Sequence, residues 1–180
     1  MKTTTWTIDP QHSEITFKVK HLVISTITGS FGEFEGNFIS SDEFEGASIS
    51  FETSVNSIST NNAQRDEHLK SADFFEADRF PKLSFKSTSF IKSGRDTFEL
   101  KGNLSIKGKT RPVALAVEYG GSDKDPWGNT KAGFEIKGAI NRKDFGLTWN
   151  AATETGGLLV GEEVKIIANV QLLKEVAVTA

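Results

Sequence analysis

The sequence of 180 residues contains no cysteine, and this absence excludes a disulfide framework, thiol chemistry and thiolate metal sites. An excess of basic charge is also absent: 21 Lys and Arg face 24 Asp and Glu, so the net charge of −3 gives no support to nucleic acid as a partner. No stretch approaches the ~20 consecutive apolar residues of a membrane span. A chain of this size suits one all-β unit, and we predict a single domain over residues 1–180.

The start of the chain bears on location. The polar segment ahead of Trp6 is too short to hold the apolar core of a signal peptide. We therefore expect the protein in the cytoplasm, or in the periplasm if a leader was removed.

Aromatic residues are plentiful, with 14 Phe beside a single Met and a single Tyr. Much of the chain alternates apolar and polar residues with period two, which is typical of strands that bury one face. In residues 47–55 the odd positions carry Ala, Ile, Phe, Thr and Val, whereas the even positions carry only Ser and Glu. Near Gly32 the alternation changes parity, which predicts a β-bulge.

Strand number and connections predict the fold class. About eight such strands are joined mostly by short turns, a rhythm typical of an antiparallel sandwich or barrel. Residues 61–81 and 141–161 are longer, irregular connections with aromatic side chains, which a sandwich does not usually need. We therefore predict an all-β fold, an eight-stranded antiparallel barrel with a short helical segment near residues 61–77. The interior of such a barrel is wide enough for one slender ligand.

The helical segment interrupts the alternation. Asn61 is the expected N-cap, with Gln64 at the spacing of a capping box, and good helix formers follow. Pro81 returns the chain to extended geometry. Since the segment carries the apolar residues Leu69, Phe74 and Phe75, we expect it to close one end of the barrel.

The sequence gives little support for a metal site or a nucleotide site. The three histidines, His12, His21 and His68, show no short ligand spacing such as His-x-x-x-His, and hydrogen-bonded roles at turns and strand ends explain them more simply. The Gly-x-x-x-x-Gly spacings never continue to Lys followed by Ser or Thr. We predict neither a metal site nor a cofactor.

A catalytic group is the alternative hypothesis. Arg65, Asp66 and His68 lie in the helical segment, and a histidine beside a carboxylate titrates near neutral pH. However, no serine nucleophile elbow or second catalytic motif accompanies them, and Arg65 and Asp66 would serve equally to tie the helix to neighbouring strands. We therefore predict that the protein is not an enzyme.

The inward aromatic face leaves one question open, because it suits a solid core as well as a cavity. Composition alone favours a solid core. A third class, an interaction module, would require an exposed apolar patch, which a sequence does not reveal.

Several motifs together resemble the YceI-like family, and the resemblance extends from about Trp6 to Leu173. The motifs are Trp6-Thr7-Ile8-Asp9-Pro10-Gln11-His12-Ser13-Glu14-Ile15-Thr16-Phe17, Val19-Lys20-His21-Leu22, Arg65-Asp66-Glu67-His68-Leu69-Lys70-Ser71-Ala72-Asp73-Phe74-Phe75, Phe80-Pro81, Gly102-Asn103-Leu104-Ser105-Ile106-Lys107-Gly108 and Phe145-Gly146-Leu147-Thr148-Trp149-Asn150. The resemblance implies a lipocalin-like barrel that binds polyisoprenoids or similar amphiphiles, with a homodimer as one expected assembly. It implies no enzymatic activity.

It is this resemblance, and not the periodicity, that turns the expected core into an apolar channel. The channel would carry or store a polyisoprenoid, a quinone or a fatty-acid-like lipid. The residues expected to line it are Phe17, Val19, Phe31, Ile49, Phe51, Leu69, Phe74, Phe75, Leu83, Phe85, Phe98, Leu100, Leu115, Phe134, Ile136, Phe145 and Trp149. The polar residues expected at its mouth, facing the head group, are Arg65, Asp66, His68 and Asn150.

Overall fold

Strands dominate the computed structural model, which describes residues 3–41, 44–154 and 156–175. Residues 176–180, most of the tail that the sequence predicts to fray beyond Lys174, lie outside the described residues. Short 3₁₀ turns lie at Pro10–His12, Val55–Ser57 and Arg142–Phe145. The strands are β1 (Thr4–Ile8), β2 (Glu14–His21), β3 (Ser25–Phe31), β4 (Phe34–Ser40), β5 (Ser48–Ser54), β6 (Ile58–Ser59), β7 (Lys82–Lys92), β8 (Thr97–Ile106), β9 (Lys109–Lys124), β10 (Thr130–Asn141) and β11 (Val160–Lys174), and the helix is α1 (Ala63–Lys70).

These segments form one sheet that closes on itself. Three of the long strands are interrupted, so β1 with β2, β3 with β4, and β5 with β6 each act as one bent strand. With the five continuous strands β7 to β11 they complete a ring of eight, in which sequence neighbours pair antiparallel. The ring closes because β11 pairs with both β1 and β2. The predicted eight-stranded antiparallel barrel with one short helix is confirmed.

Two of the bends have local explanations. At the first, a side-chain oxygen of Asp9 accepts a hydrogen bond from the N–H of Gln11 at 3.1 Å, and Pro10 begins the 3₁₀ turn that separates β1 from β2. At the second, β3 ends at Phe31 and β4 begins at Phe34. Odd-numbered residues such as Phe31 face inward before this break and even-numbered ones such as Phe38 after it, so the structure contains the parity change that the sequence predicts near Gly32.

The helix starts one residue later than its predicted cap implies. Asn62, not Asn61, is the N-cap, since its side-chain oxygen accepts from the N–H of Arg65 at 3.0 Å. Asn61 instead takes a left-handed conformation with φ of 60°, which asparagine tolerates better than most residues. The predicted cap was wrong because the chain makes a tight turn immediately before the helix.

One end of the barrel is filled by aromatic side chains, which we call the plug. Phe44, from the connection between β4 and β5, inserts into this end with its ring 5.3 Å from that of Trp6 and 5.2 Å from that of Phe134. The rings of Phe90 and Phe98 stack at 4.5 Å. Aromatic pairs in tilted, edge-to-face and stacked arrangements stabilise a fold by more than the area they bury. The plug consists of Trp6, Phe38, Phe44, Phe90, Phe98, Tyr119 and Phe134.

The opposite end, which we call the mouth, is assembled from connections. The β2–β3 turn, the β8–β9 turn and the connection from β10 to β11 all lie there. Helix α1 is also at the mouth, since it lies in the connection from β6 to β7. The two ends of the barrel are therefore built differently, one from packed rings and the other from loops and a helix.

The corner at Asp9 fastens β10 to the bend between β1 and β2. One carboxylate oxygen lies 2.7 Å from Nδ1 of His12 and accepts a hydrogen bond from Nζ of Lys131 at 3.3 Å. Partial burial raises the pKa of Asp9, but the hydrogen bonds from His12, Gln11 and Lys131 outweigh it, and the net pKa lies below its ordinary value of 3.8.

We predict that Asp9→Asn lowers the free energy of unfolding by about 1–2 kcal/mol at pH 7, because charge-assisted hydrogen bonds are lost. Since the pKa is lower in the folded state, this stabilisation is present above the unfolded-state pKa and is lost as the pH falls through the folded-state pKa. Urea unfolding at several pH values should show the gap between wild type and variant closing below about pH 4. Asp96→Asn, at an exposed turn, is the control. A gap that does not change with pH would contradict the assignment.

Candidate functional site

A cavity of about 340 Å³ lies inside the barrel between the plug and the mouth. Its walls are mainly aliphatic and aromatic side chains of the strands, and the plug residues Phe38, Phe90 and Phe134 contribute to one end. Thr60, Arg65, His68 and Arg142 are among the few polar residues that line it, and all four belong to elements at the mouth. A concave, mostly apolar cavity of this size with a few converging polar groups is the usual form of a ligand site.

Glycines in the wall make room for aromatic rings. Gly29 lies opposite Phe17 across the β2–β3 pair, and a Cβ at this glycine would stand 2.2 Å from the Phe17 ring. In β8, a Cβ at Gly102 would stand 2.4 Å from the ring of Phe85. Each ring occupies the space that a side chain at the glycine would fill. The rings are thus laid against the wall, which leaves space in the interior.

Most residues predicted to form the channel do line the cavity. They are Phe17, Val19, Phe31, Ile49, Phe51, Leu69, Phe74, Phe75, Leu83, Phe85, Leu100, Leu115, Phe134, Ile136 and Trp149.

Phe98 and Phe145 are not in the cavity wall. Phe98 stacks on Phe90 within the plug, and Phe145 is only 1% exposed within the packed core, in the 3₁₀ turn after β10. For these two residues the channel prediction needs correction. Alternation and motifs predict that an apolar residue is buried. They do not show whether that residue packs in the core or lines a cavity.

Of the four polar residues predicted at the mouth, Arg65 and His68 line the cavity, whereas Asp66 and Asn150 do not. One oxygen of Asp66 accepts from the N–H and the hydroxyl of Thr60 at 2.8 and 2.6 Å. The side chain of Asn150 accepts from the N–H of Val160 at 3.0 Å and donates to its carbonyl at 2.8 Å. Both side chains therefore fasten mouth segments to one another, and the prediction that they face a head group needs correction.

Arg65 and His68 have partners of their own. Arg65 donates from Nε to the hydroxyl of Thr60 and from a terminal nitrogen to its carbonyl, both at 2.8 Å. The Nε2 atom of His68 lies 2.9 Å from a carboxylate oxygen of Asp73, and the imidazole ring meets Trp149 edge-on at 4.7 Å. Their hydrogen bonds thus join them to Thr60 and Asp73 and not to a shared catalytic group. Arg65 and Asp66 meet at Thr60, whereas His68 pairs with Asp73, so the three residues of the acid–base alternative do not form one hydrogen-bonded group.

Arg142 is the site residue that the sequence analysis missed. It is 3% exposed and lines the cavity, yet no ion pair among the described residues includes it. Its guanidinium donates to four backbone carbonyls, those of Leu147, Trp149, Val160 and Gly161. Desolvation lowers the pKa of Arg142, which the charge of Glu162 partly offsets, but a guanidinium remains protonated at neutral pH. A single arginine thus holds both ends of the β10–β11 connection together at the mouth.

No group of three or more His, Asp or Glu side chains in the described part of the chain could hold a metal ion. In that same part, no helix has the length and apolar character needed to cross a membrane.

An up-and-down barrel of eight antiparallel strands, filled at one end and enclosing an apolar cavity, is of the lipocalin-like class. The model of the YceI-like domain matches residues 6–172, and the chain belongs to this family. The family predicted from the motifs is therefore confirmed.

Curated relatives support the same assignment. Protein YceI of Salmonella newport is 38% identical over 162 residues, which cover 89% of this chain and 81% of that protein. Protein YceI of Salmonella arizonae gives the same identity and coverage.

Solved structures share the fold. BcnA of Burkholderia cenocepacia superposes with a TM-score of 0.80 at 20% identity, over 91% of this chain and 98% of that one. The YceI protein of Campylobacter jejuni gives 0.74 at 28% identity, over 87% and 90%. A polyisoprenoid binding domain of Saccharophagus degradans, implicated in plant cell wall breakdown, gives 0.67 at 14% identity, over 94% and 98%. The first and third of these show the fold alone.

We predict that Arg142→Met lowers the free energy of unfolding by about 3 kcal/mol or more, because it leaves buried carbonyls without donors. Amide protection should fall most in residues 147–161, which Arg142 holds. Urea unfolding and hydrogen exchange measure the two effects. The matched control is Arg95→Met in the exposed β7–β8 turn, which should stay within about 0.5 kcal/mol of wild type. Equal losses in both variants would show that the carbonyl contacts contribute little.

Proposed function

We propose that the protein binds a long-chain isoprenoid or a similar amphiphilic lipid in the barrel cavity, and carries or stores it. The observation that carries the proposal is the apolar cavity of about 340 Å³, which the plug limits at one end and the helical segment covers at the other. A protein that needed only a solid core would not retain an apolar void of this size, because voids of this kind destabilise the fold. The shared fold of a polyisoprenoid binding domain adds support.

Burial of the tail supplies the affinity. Each methylene group that passes from water into the cavity is worth ~0.8 kcal/mol, so about ten of them supply the ~8 kcal/mol of micromolar binding before ordering costs, and a long chain supplies the surplus that those costs require. Since the walls offer mainly aliphatic and aromatic contacts, chain length and shape select the ligand more than hydrogen bonding does.

The two ends of the cavity set the orientation of the ligand. The plug rings that line the cavity, those of Phe38, Phe90 and Phe134, carry no polar atom. At the mouth, Arg65, His68 and Arg142 line the cavity. Burial of an unpaired polar group is unfavourable. We therefore infer that the tail points towards the plug and the head group stays at the mouth.

The helical segment over residues 61–81 is the inferred lid. Helix α1 contains no buried residue, so burial of the helix itself gives it little stability. Hydrogen bonds of Arg65 and Asp66 with Thr60 and a bond from Nζ of Lys107 to the carbonyl of Ala72 at 3.0 Å are among its links to the rest of the chain. The apolar residues Leu69, Phe74 and Phe75 add contacts in the cavity wall. An element held by a few contacts opens at a lower free energy than the strand ladders do.

The direct test of the function is native mass spectrometry of the purified protein, followed by solvent extraction and identification of the bound molecule. We expect a co-purified lipid with a long apolar chain. Trp149 lines the cavity, so its fluorescence should change when a prenol or a prenyl phosphate is added to stripped protein. Absence of any lipid, together with no response to added prenyl or acyl chains, would refute the proposal.

With a larger side chain in the cavity, the protein should prefer ligands with shorter chains. Ala168 on β11 lines the cavity and is 5% exposed, so Ala168→Phe fills space that a tail would occupy. Loss of contact with two to four methylenes predicts about tenfold to hundredfold weaker binding of the longest chains, and little change for short ones. The matched control, Ala116→Phe on the exposed face of β9, should bind like wild type. If both variants fold and bind long chains equally, the cavity is not the site.

The lid makes a kinetic prediction. Thr60→Val keeps the shape of this buried residue but removes the hydroxyl that donates to Asp66 and accepts from Arg65. We expect amide protection in residues 63–76 to fall, and both uptake and release of lipid to accelerate by about tenfold for ~1.4 kcal/mol of lost lid stability. Stopped-flow measurement of Trp149 fluorescence tests this, with Thr88→Val on the exposed face of β7 as the control. Unchanged rates with a loosened helix would place entry elsewhere.

A further inference from the structure

The mouth carries an exposed apolar patch that neither the barrel nor the cavity uses. In the turn between β2 and β3, Leu22, Val23 and Ile24 are 38, 79 and 85% exposed, and Leu158 on the neighbouring connection is 48% exposed. The N–H of Leu22 donates to the carbonyl of Leu159 at 2.9 Å, so the two segments lie side by side. We call these four residues the rim patch. Four aliphatic side chains clustered on one rim differ from the scattered exposed residues that any surface has.

Leu22 and Val23 lie in this turn although its backbone conformation is unfavourable for them. Leu22 and Val23 have φ values of 55° and 64°, in the left-handed region that Gly, Asn and Asp occupy far more readily. For a β-branched residue such as Val23 this conformation is a genuine outlier. Neither solubility nor turn geometry explains a Leu-Val-Ile sequence at this position. Such an outlier points to a function of the exposed side chains.

The rim patch adjoins the entrance of the cavity. His21, which precedes the patch, pairs with Val160 across the β2–β11 ladder, and both residues line the cavity. Leu159, which follows Leu158, lines it too. A surface that contacts the rim patch therefore lies within a residue or two of the cavity wall.

Unpaired basic residues stand beside the patch. Lys18 and Lys20 on β2 alternate with cavity-lining residues and so face outward, as does Lys165 on β11, which lies directly opposite Lys18. Lys20 donates to the hydroxyl of Thr26, and none of the three lysines forms an ion pair within the described part of the chain. Glu163, two residues before Lys165 on β11, forms no ion pair within the described part of the chain. Like charges opposite one another in a sheet are unfavourable unless a counter-charge is supplied from outside.

We propose that the rim patch docks the mouth of the barrel onto an anionic lipid surface. Aliphatic side chains that enter the interface, flanked by lysines that meet anionic head groups, are the standard means of reversible membrane attachment. Docking in this orientation places the cavity entrance against the bilayer, so a lipid passes between them without crossing water. The purpose of docking rests on the proposed function, whereas the attachment itself does not.

A second copy of the chain fits the patch less well. A stable protein–protein interface buries about 800 Å² on each partner and involves about 20 to 30 residues a side, far more than four side chains at a hairpin tip and its neighbour. The nearby lysines would also repel their counterparts across a symmetric contact.

Co-sedimentation with vesicles tests the proposal, using phosphatidylcholine alone and phosphatidylcholine with phosphatidylglycerol. We expect the wild type to prefer the anionic vesicles and to lose binding as salt rises. The double variant Val23→Asp, Ile24→Asp should bind at least tenfold more weakly, and Asp at position 23 suits the left-handed backbone, so folding is not compromised. Lys18→Glu with Lys20→Glu should lose the preference for anionic vesicles, by about fivefold for each lysine.

The matched control is Trp127→Asp. Trp127 is 83% exposed in the β9–β10 turn at the plug end, so its loss should leave vesicle binding unchanged. Uptake of a dispersed prenol by the rim-patch variant, followed by native mass spectrometry, should match wild type, which separates failure of docking from failure of lipid binding. Three results would overturn the proposal: no binding of wild type to anionic vesicles at low salt, equal binding by the rim-patch variant, or loss of binding in Trp127→Asp. Light scattering that shows a dimer for the wild type and a monomer for the rim-patch variant would also overturn the proposal, in favour of self-association.

Discussion

Pairing of β11 with both β1 and β2 is the interaction on which the rest of the structure depends. A sheet of eight antiparallel strands has two free edges until this seam forms, and only closure gives every inward residue an enclosed interior. A single β11 can pair with both segments because the Asp9–Pro10 corner offsets β1 from β2 without ending the strand. The salt link from Lys131 to Asp9 then joins β10 to that corner across β11. The corner at Asp9 and Pro10 therefore forms the turn between β1 and β2 and also contributes to closure of the barrel.

Enclosure alone does not make a cavity, since small barrels of eight strands are commonly filled by their own side chains. Here the aromatic residues are distributed unevenly. The plug packs seven rings together at one end, while Gly29 and Gly102 allow the rings of Phe17 and Phe85 to lie along the wall. The same composition, spread evenly along the strands, would give a solid core. The position of aromatic residues, more than their number, leaves the space that the proposed ligand requires.

Period-two alternation predicted the strands and most of the strand residues that face the interior of the barrel, because side-chain direction in a strand depends only on parity. The choice of a barrel came from the number of strands and from the two long connections. Alternation could not distinguish a residue of the cavity wall from a residue of the packed core. Phe98 points inward, as its position in β8 predicts, but its ring stacks on Phe90 within the plug. Arg142 was missed for the opposite reason. A charged residue after a strand is ordinarily exposed, and only the folded connection brings four carbonyls around it. The polar residues Asp66 and Asn150 were assigned to a ligand because their backbone partners are invisible until the mouth is folded.

The plug closes one end of the cavity, and this bears on how the proposed ligand is exchanged. A tunnel with two openings lets an incoming molecule push out the occupant, so exchange accelerates with the concentration of the newcomer. A cavity of about 340 Å³ that is closed at one end does not let two long chains pass each other. For the proposed ligand, exchange is then dissociative: the bound lipid must leave completely before another enters, and it departs at a first-order rate that excess competitor does not change. If the protein carries a lipid as proposed, the time for which the lipid stays bound is set by the opening rate of the mouth and not by the concentration of competing lipid.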